Sequence, residues 1–125
     1  DTYFYYRHLD VHAMREAAGY LVGEHDFKSF CSIHAQVETT VRRIYALTVD
    51  KKEDIITIRI TGNGFLYNMV RIIAGTLIRV GTGEYKPEQI PEILAAKDRE
   101  MAGPTAPAHG LTMIGIEYED LEEKS

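Results

Sequence analysis

Residues 65–80 constrain the fold of this chain more than any other segment, because they form an apolar run of helical length. Apolar side chains would occupy almost every face of such a helix, which predicts a helix buried on all sides. A membrane-spanning helix needs about 20 apolar residues, and this run is shorter and contains Asn68, Arg71 and Arg79. Other elements of the chain must therefore cover the helix, and we expect no membrane association.

Periodic patterns on both sides of this run predict the covering elements. The aromatic residues 3–6 predict a short strand or an extended entry, and alternating patterns predict strands at residues 41–49, 55–61 and 111–119. Helical spacing of apolar residues predicts a helix at residues 11–22, and Pro87 marks the start of another at residues 87–97. Residues 25–30 are predicted to form a short turn or a single helical turn. The order predicts an α/β (α+β) fold with the split βαββαβ arrangement of ferredoxin-like and RRM-like domains, in which helices cover one face of an antiparallel sheet.

Length, charge and cysteine content limit the class of protein. The 125 residues correspond to one domain, residues 1–120, followed by an acidic tail at residues 121–125. The net charge is −5, and a domain with this balance can have a basic patch but is not a strong electrostatic clamp for nucleic acid. Cys31 is the only cysteine, which excludes an intrachain disulfide and fits a reducing, cytoplasmic compartment. Because the first residue is not methionine, we expect a fragment of a longer protein.

Arg71 is the most informative residue, because a cation inside an apolar helix needs either an anion or access to water. Tyr67, Asn68 and Gly75 lie three or four positions away and would share its face of the helix. A glycine inside a helix costs about 1 kcal/mol relative to alanine, which indicates that packing or a ligand requires Gly75. These residues form a candidate binding site. The alternative is an arginine at the helix edge that pairs with a loop carboxylate.

Three other segments contain residue types that bind ligands in proteins. The glycine-rich turn at residues 62–65 could bind phosphate through its amides, although the same pattern is common in strand-to-helix turns. The proline-containing loop 105–111 includes His109, a candidate acid or base, although an ordinary connection has the same composition. A metal site is a weaker alternative, since no standard zinc spacing relates His25, Asp26, Cys31 and His34.

Three sequence blocks resemble the A-type tRNA pseudouridine synthase family. Residues 64–83 are similar to the family block GFLYxMVRxIxGTLxxVGxG, residues 103–111 to TAPAxGL, and residues 23–30 to GxHDFxSF. The blocks follow the family's order and spacing from Leu9 to Tyr118, which is nearly the whole chain.

This resemblance implies an enzyme that converts uridine to pseudouridine in the anticodon arm of tRNA, at positions 38 to 40. It also implies a homodimer that binds tRNA and uses no cofactor and no metal. The catalytic aspartate of the family belongs to an Arg-Thr-Asp-x-Gly-Val-His motif, which residues 1–125 do not contain. We therefore expect this chain to be the C-terminal half, to be inactive alone, and to need its own N-terminal half as a partner.

The resemblance assigns roles to individual residues of this chain. Arg71 matches the family arginine that pairs with the catalytic aspartate, and Leu111 matches the apolar residue that packs against the target uracil. Further substrate-binding candidates in the same blocks are Tyr67, Thr105 and Gly110. A guanidinium beside the aspartate keeps that carboxylate ionised, as an attacking or proton-accepting group must be.

Two further expectations concern the isolated chain. Without the N-terminal half, Arg71 should be solvated or paired with a substitute carboxylate such as Asp26 or Asp98. Two other functions also fit the sequence: an RRM-like RNA-binding module without catalysis, and a ferredoxin-like dimerisation domain. Residues 64–67 loosely match an RNP motif, but they are predicted at a helix start, whereas RNP aromatic residues lie on strands.

Overall fold

Three helices and four strands form the main secondary structure in the part of the chain that the structure describes. The computed structural model describes residues 9–32, 39–53, 55–66, 68–105 and 114–121. The helices are α1 (Val11–Leu21), α2 (Met69–Gly81) and α3 (Gln89–Ala96). The strands are β1 (Gly23–Asp26), β2 (Val41–Lys52), β3 (Ile55–Gly62) and β4 (Ile114–Asp120). Single turns of 3₁₀ helix follow β1 at Lys28–Phe30 and α3 at Arg99–Met101.

The four described strands form one sheet in the order β1-β2-β3-β4. β1 and β3 each pair antiparallel with β2, whereas β4 runs parallel to β3. The predicted α/β class is confirmed; the predicted antiparallel pairing applies to two of the three strand pairs, and the third makes the sheet mixed. A parallel pair needs a crossover connection, and α2 with α3 provides it between β3 and β4. The strand predicted at residues 3–6 lies outside the described residues.

Several predicted boundaries differ from the structure; the strand predicted at residues 41–49, for example, continues to Lys52. Two of the differences have a clear physical reason. The helix predicted over residues 65–80 begins only at Met69, because Asn68 has φ 61° and ψ 7°, a left-handed conformation that a right-handed helix cannot include. The turn predicted at residues 25–30 begins too early, since residues 23–26 form β1. Hydrogen bonding to the neighbouring β2 decides the conformation of this short polar segment, which has no strand pattern of its own.

The core lies between the helices and one face of the sheet. Leu47 and Val49 of β2 are opposite Ile60 and Ile58 of β3, and all four are buried. Arg59 of β3 points to the other face and is exposed. The residues of α1 that are buried against β2 and α2 are Met14, Ala17, Ala18 and Leu21. The helices therefore cover one face of the sheet, as predicted.

The apolar helix α2 is buried along nearly its whole length, as the sequence predicts. Of its 13 residues, all of which are described, only Arg71 and Arg79 are not fully buried. The loop at Gly103 packs directly on the α2 backbone, so close to Gly75 that a Cβ on Gly103 would lie 3.1 Å from the Gly75 carbonyl oxygen. The contact shows that the loop at Gly103 lies directly against the α2 backbone at residues 75 and 76. In the described ranges, no helix is long and apolar enough to cross a membrane.

Ser29 is a fully buried polar residue that fixes α3 to the 3₁₀ turn Lys28–Phe30. Its hydroxyl donates to Ile93 O at 2.7 Å and accepts from Asp98 N at 2.8 Å. Ser29→Ala leaves both backbone groups without this partner, so we expect the free energy of unfolding to fall by about 1–3 kcal/mol. Urea unfolding measures the difference, and equal stability of the two proteins would contradict the structural role of these bonds.

Candidate active site

A pocket of about 490 Å³ opens where α2 begins beside β4. Phe65 and Tyr118 form part of its wall and contact each other edge to face, with ring centroids 5.8 Å apart. The other apolar lining residues are Leu66, Met69, Val70 and Ile116. The polar lining residues are Asn68, Arg71 and Asp120. Such a lining, mostly apolar with a few polar groups, suits a flat ring with polar edges.

Two left-handed residues shape the connection that leads from β3 to this pocket. Gly64 has φ 120° and Asn68 has φ 61°, so the chain turns twice before α2 begins. In the turn at residues 62–65, the groups of Asn63 are used in pairing with β2, which is consistent with the alternative of an ordinary strand-to-helix turn. Asn63 N donates to Arg43 O at 3.0 Å and Asn63 Oδ1 accepts from Arg43 N at 2.8 Å, so this turn extends the pairing with β2.

Arg71 lies in the first turn of α2 and is half-buried in the pocket wall. Its Nη1 donates to Asn68 Oδ1 at 3.4 Å, and Asn68 Nδ2 in turn donates to Ser32 Oγ at 3.1 Å. The first turn of α2 contains no acidic residue, although the helix dipole favours an anion and disfavours a cation at this end. A guanidinium here can bind a carboxylate or phosphate through two parallel hydrogen bonds.

The two carboxylates that the sequence suggested as substitutes beside Arg71 have other hydrogen-bond partners. Asp26 accepts from the Thr40 hydroxyl, and Asp98 accepts from a backbone amide of the 3₁₀ turn that follows it. The carboxylate that lines the pocket together with Arg71 is Asp120, at the end of β4. Sequence reasoning missed Asp120 because it lies in an acidic run, where one more carboxylate is no signal.

Thr105 lies at the entry of the loop that was predicted to form one pocket wall. Arg99 Nη2 donates to its Oγ1 at 3.3 Å, and Arg99 Nη1 donates to Gly103 O at 2.8 Å. Gly103 N donates to Thr76 Oγ1 at 2.9 Å, so the loop entry is tied to the same helix that positions Arg71. The other predicted site residues, which lie outside the described residues, are Tyr67, His109, Gly110 and Leu111.

A second pocket of about 490 Å³ is lined by residues of α1, β1 and α3, among them Tyr20 and Asp26, and by Lys97, which follows α3. Burial raises the pKa of Asp26, but this effect is outweighed by the Thr40 hydroxyl, the Lys28 amide and the nearby Lys97 charge. The pKa of Asp26 is therefore lower than its usual value. The carboxylate of Asp26 lies 3.7 Å from Lys97 Nζ.

This lowered pKa predicts a pH-dependent contribution of Asp26 to stability. A carboxylate that is more acidic in the folded than in the unfolded protein stabilises the fold above its unfolded pKa of about 3.9 and loses this effect as the pH falls. Wild type should therefore be more stable than Asp26→Asn at pH 7, and the difference should shrink toward pH 3. Urea midpoints of both proteins at the two pH values test this. If the stability difference between wild type and Asp26→Asn grew on acidification, the lowered pKa of Asp26 would be contradicted.

The alternative metal site is not assembled in the described part of the chain. His25 Nε2 is hydrogen-bonded to Val22 O at 3.0 Å, and the buried Cys31 thiol lies 3.5 Å from Lys28 O. Burial, and secondarily the charge of Asp26, raise the pKa of Cys31. Across the described ranges, no three His, Cys, Asp or Glu side chains come together as a possible metal site. His34 lies outside these ranges.

Fold and pocket together define an α/β domain that presents a guanidinium in the wall of a largely apolar pocket. The family model for tRNA pseudouridine synthase matches residues 17–119. The tRNA pseudouridine synthase A of Brevibacillus brevis is 60% identical over 110 residues, which are 88% of this chain and 45% of that protein. The proteins of the same name from Bacillus pumilus and Bacillus subtilis are 53% and 52% identical over 118 residues, 94% of this chain and 47% of each. The chain belongs to the tRNA pseudouridine synthase family.

The matched region confirms the family resemblance of the sequence blocks. It includes Arg71, Thr105 and the pocket residues up to Tyr118. The chain spans about half the length of the curated relatives it matches.

Proposed function

We propose that this chain is the C-terminal half of a tRNA pseudouridine synthase, an isomerase that converts uridine to pseudouridine at positions 38 to 40 of the tRNA anticodon arm. The main support is Arg71, a guanidinium in the first turn of a buried helix and in the wall of an apolar pocket. A cation in that position is best explained by an anion that binds beside it. The family match over residues 17–119 supplies the class of reaction.

In the proposed reaction, Arg71 pairs with a catalytic aspartate that another part of the whole protein supplies. A guanidinium within hydrogen-bonding distance stabilises the ionised carboxylate and lowers its pKa. That carboxylate attacks the ribose or removes a proton from it, and the uracil then detaches, rotates and rejoins the ribose through carbon 5. The reaction rearranges bonds without net oxidation or reduction, so it can proceed without a redox cofactor.

The target uridine must leave the RNA stack to reach such a pocket, which costs a few kcal/mol. Phe65 and Tyr118 offer apolar surface that compensates part of this cost when it contacts the base. In the proposal, Tyr67, Thr105, Gly110 and Leu111 complete the substrate-binding site. The two bonds from Arg99 fix the loop entry at Gly103 and Thr105.

The proposal includes the assembly of the whole protein. Residues 1–120 form its C-terminal domain, residues 121–125 a tail, and the N-terminal half of the same protein contributes the catalytic aspartate. The active species is a homodimer in the cytoplasm, where its tRNA substrate is found. Sedimentation of the whole protein at micromolar concentration should give the mass of two chains. The mass of a single chain would refute the proposed dimer.

Mapping of modified positions tests the proposed activity. Unmodified tRNA with uridines at positions 38, 39 and 40 is incubated with the whole protein, and pseudouridine is located by carbodiimide adducts that stop reverse transcription. We expect stops at these three positions and none elsewhere in the same tRNA. Pseudouridine in another arm would refute the assigned substrate region. If the protein binds tRNA but does not modify it, the RNA-binding module is favoured. If it dimerises but does not bind tRNA, the dimerisation domain is favoured.

The structure gives the RRM-like alternative little support. In an RRM, the aromatic residues that stack on RNA lie on the central strands of the sheet. Of the two aromatic residues in the RNP-like stretch, Phe65 is described by the structure, and it lies in the connection between β3 and α2. Its ring contacts Tyr118 and lines the same pocket as Arg71. This position favours a pocket for a single base over a platform for several.

A further inference from the structure

We propose that Asn68 is a positioning residue, which holds the Arg71 guanidinium in place for the reaction; this inference rests on the proposed function. Asn68 Oδ1 accepts from Arg71 Nη1 at 3.4 Å, and its Nδ2 donates to Ser32 Oγ at 3.1 Å. A guanidinium can only donate, so the carbonyl end of the amide must face Arg71 and the NH₂ end must face Ser32. The side chain of Asn68 thus connects Arg71 to a segment that is distant in sequence.

The backbone of Asn68 favours an asparagine at this position. Its φ of 61° and ψ of 7° are left-handed, a conformation that asparagine adopts more readily than most residues other than glycine. Its carbonyl accepts from Ile72 N at 2.9 Å and so starts α2. Glycine would satisfy this backbone equally well. The backbone therefore does not explain why an amide side chain is present.

The side chain of Asn68 does not perform the usual task of a residue that precedes a helix. An asparagine at this position normally accepts a hydrogen bond from one of the first free amides of the helix. Asn68 makes no such capping bond, and its amide instead bridges Arg71 and Ser32. A side chain that forgoes a stabilising cap to contact a candidate active-site residue is typical of a functional position.

The effect on the reaction follows from the geometry of the guanidinium. Arginine has a long side chain, and each additional anchor reduces the number of orientations open to its guanidinium, so fewer of them misalign it with the catalytic carboxylate. Ser32 follows the 3₁₀ turn Lys28–Phe30, whose Phe30 is fully buried, so the anchor rests on the core. A displacement of a positioned group by about 1 Å can lower a rate by about 100-fold.

The test uses the whole protein with Asn68→Gly, which keeps the left-handed backbone and removes only the amide. We expect kcat for pseudouridine formation to fall about 10- to 100-fold while KM for tRNA stays within about twofold. The acidic limb of the kcat/KM profile should move to higher pH, because a loosely held guanidinium lowers the pKa of its carboxylate partner less. A merely structural role would lower the folded fraction and leave this profile in place.

A double-mutant cycle separates the inference from the function on which it rests. If Asn68 acts through Arg71, then Asn68→Gly should cause no further loss in the Arg71→Ala background. An equal further loss in that background, or a wild-type kcat for Asn68→Gly, would refute the positioning role and leave the proposed function intact. If Arg71→Ala itself is fully active, the proposed role of Arg71 fails instead. Ser32→Ala, which removes the anchor and leaves Asn68 in place, should give a smaller loss in kcat of about two- to fivefold.

Discussion

Arg71→Ala in the whole protein is expected to lower kcat for pseudouridine formation by at least about 100- to 1,000-fold. The reason is that an interaction with a reacting carboxylate is used in the chemical step and contributes less to binding of the tRNA. KM for tRNA should therefore change far less than kcat. Single-turnover assays with enzyme in excess over labelled tRNA measure the chemical step directly.

Arg79→Ala is the matched control for this experiment. Arg79 belongs to the same helix, is likewise half-buried, and is paired with Glu84 at the far end from the pocket. Its replacement should leave kcat within about twofold of wild type, as expected for a surface ion pair. Arg71→Lys keeps the charge but cannot form the bidentate hydrogen bonds of a guanidinium, so its kcat should lie between those of Arg71→Ala and wild type. Equal losses in the Arg71 and Arg79 variants would indicate damage to α2 and not to a site.

Gly103→Ala is expected to lower the free energy of unfolding by about 1–3 kcal/mol, because the new methyl group meets backbone that cannot move aside. The added Cβ would lie 2.8 Å from Thr76 Cα and 3.0 Å from Thr76 N. The strain would also disturb the bond from Gly103 N to Thr76 Oγ1. Urea unfolding monitored by circular dichroism gives the loss.

Gly19→Ala, measured in the same assay, is expected to raise the free energy of unfolding. Gly19 is exposed within α1, and a Cβ there would meet nothing within 4 Å. Alanine is the better helix former by about 0.8–1.0 kcal/mol, so this variant should be more stable than wild type. If both glycine variants were destabilised alike, the close contact at Gly103 would not be the cause.

Elements that depend on local patterns could be predicted from the sequence. The helix predicted at residues 11–22 is α1, which ends at Leu21, and Asp10 caps it by accepting from Ala13 N at 3.0 Å. Strand β1 was missed because one glycine and three polar residues have no strand pattern of their own; pairing with β2 makes them a strand. The parallel direction of β4 could not be predicted either, since it depends on how two helices return the chain across the sheet.

The residues of the candidate site likewise differ in whether the sequence alone could predict them. Arg71 could be singled out because one cation in an apolar helix is visible in the sequence alone. Ser32 and Asp120 could not, because each reaches the start of α2 from a distant segment; Ser32 lies 36 residues before Asn68. The left-handed backbone of Asn68 was also hidden, and it moved the start of the helix to Met69. Local chemistry therefore identified the central residue, and only the fold revealed its neighbours.

Release of tritium from tRNA labelled at uridine carbon 5 tests the central claim most directly, because the new bond at that carbon displaces the label. The whole protein and this 125-residue chain are assayed side by side, with Arg71→Ala of the whole protein as the third sample. We predict stoichiometric release by the whole protein, release slowed at least about 100-fold by Arg71→Ala, and none by the chain alone. Release by the chain alone would contradict the claim that the catalytic carboxylate lies outside residues 1–125.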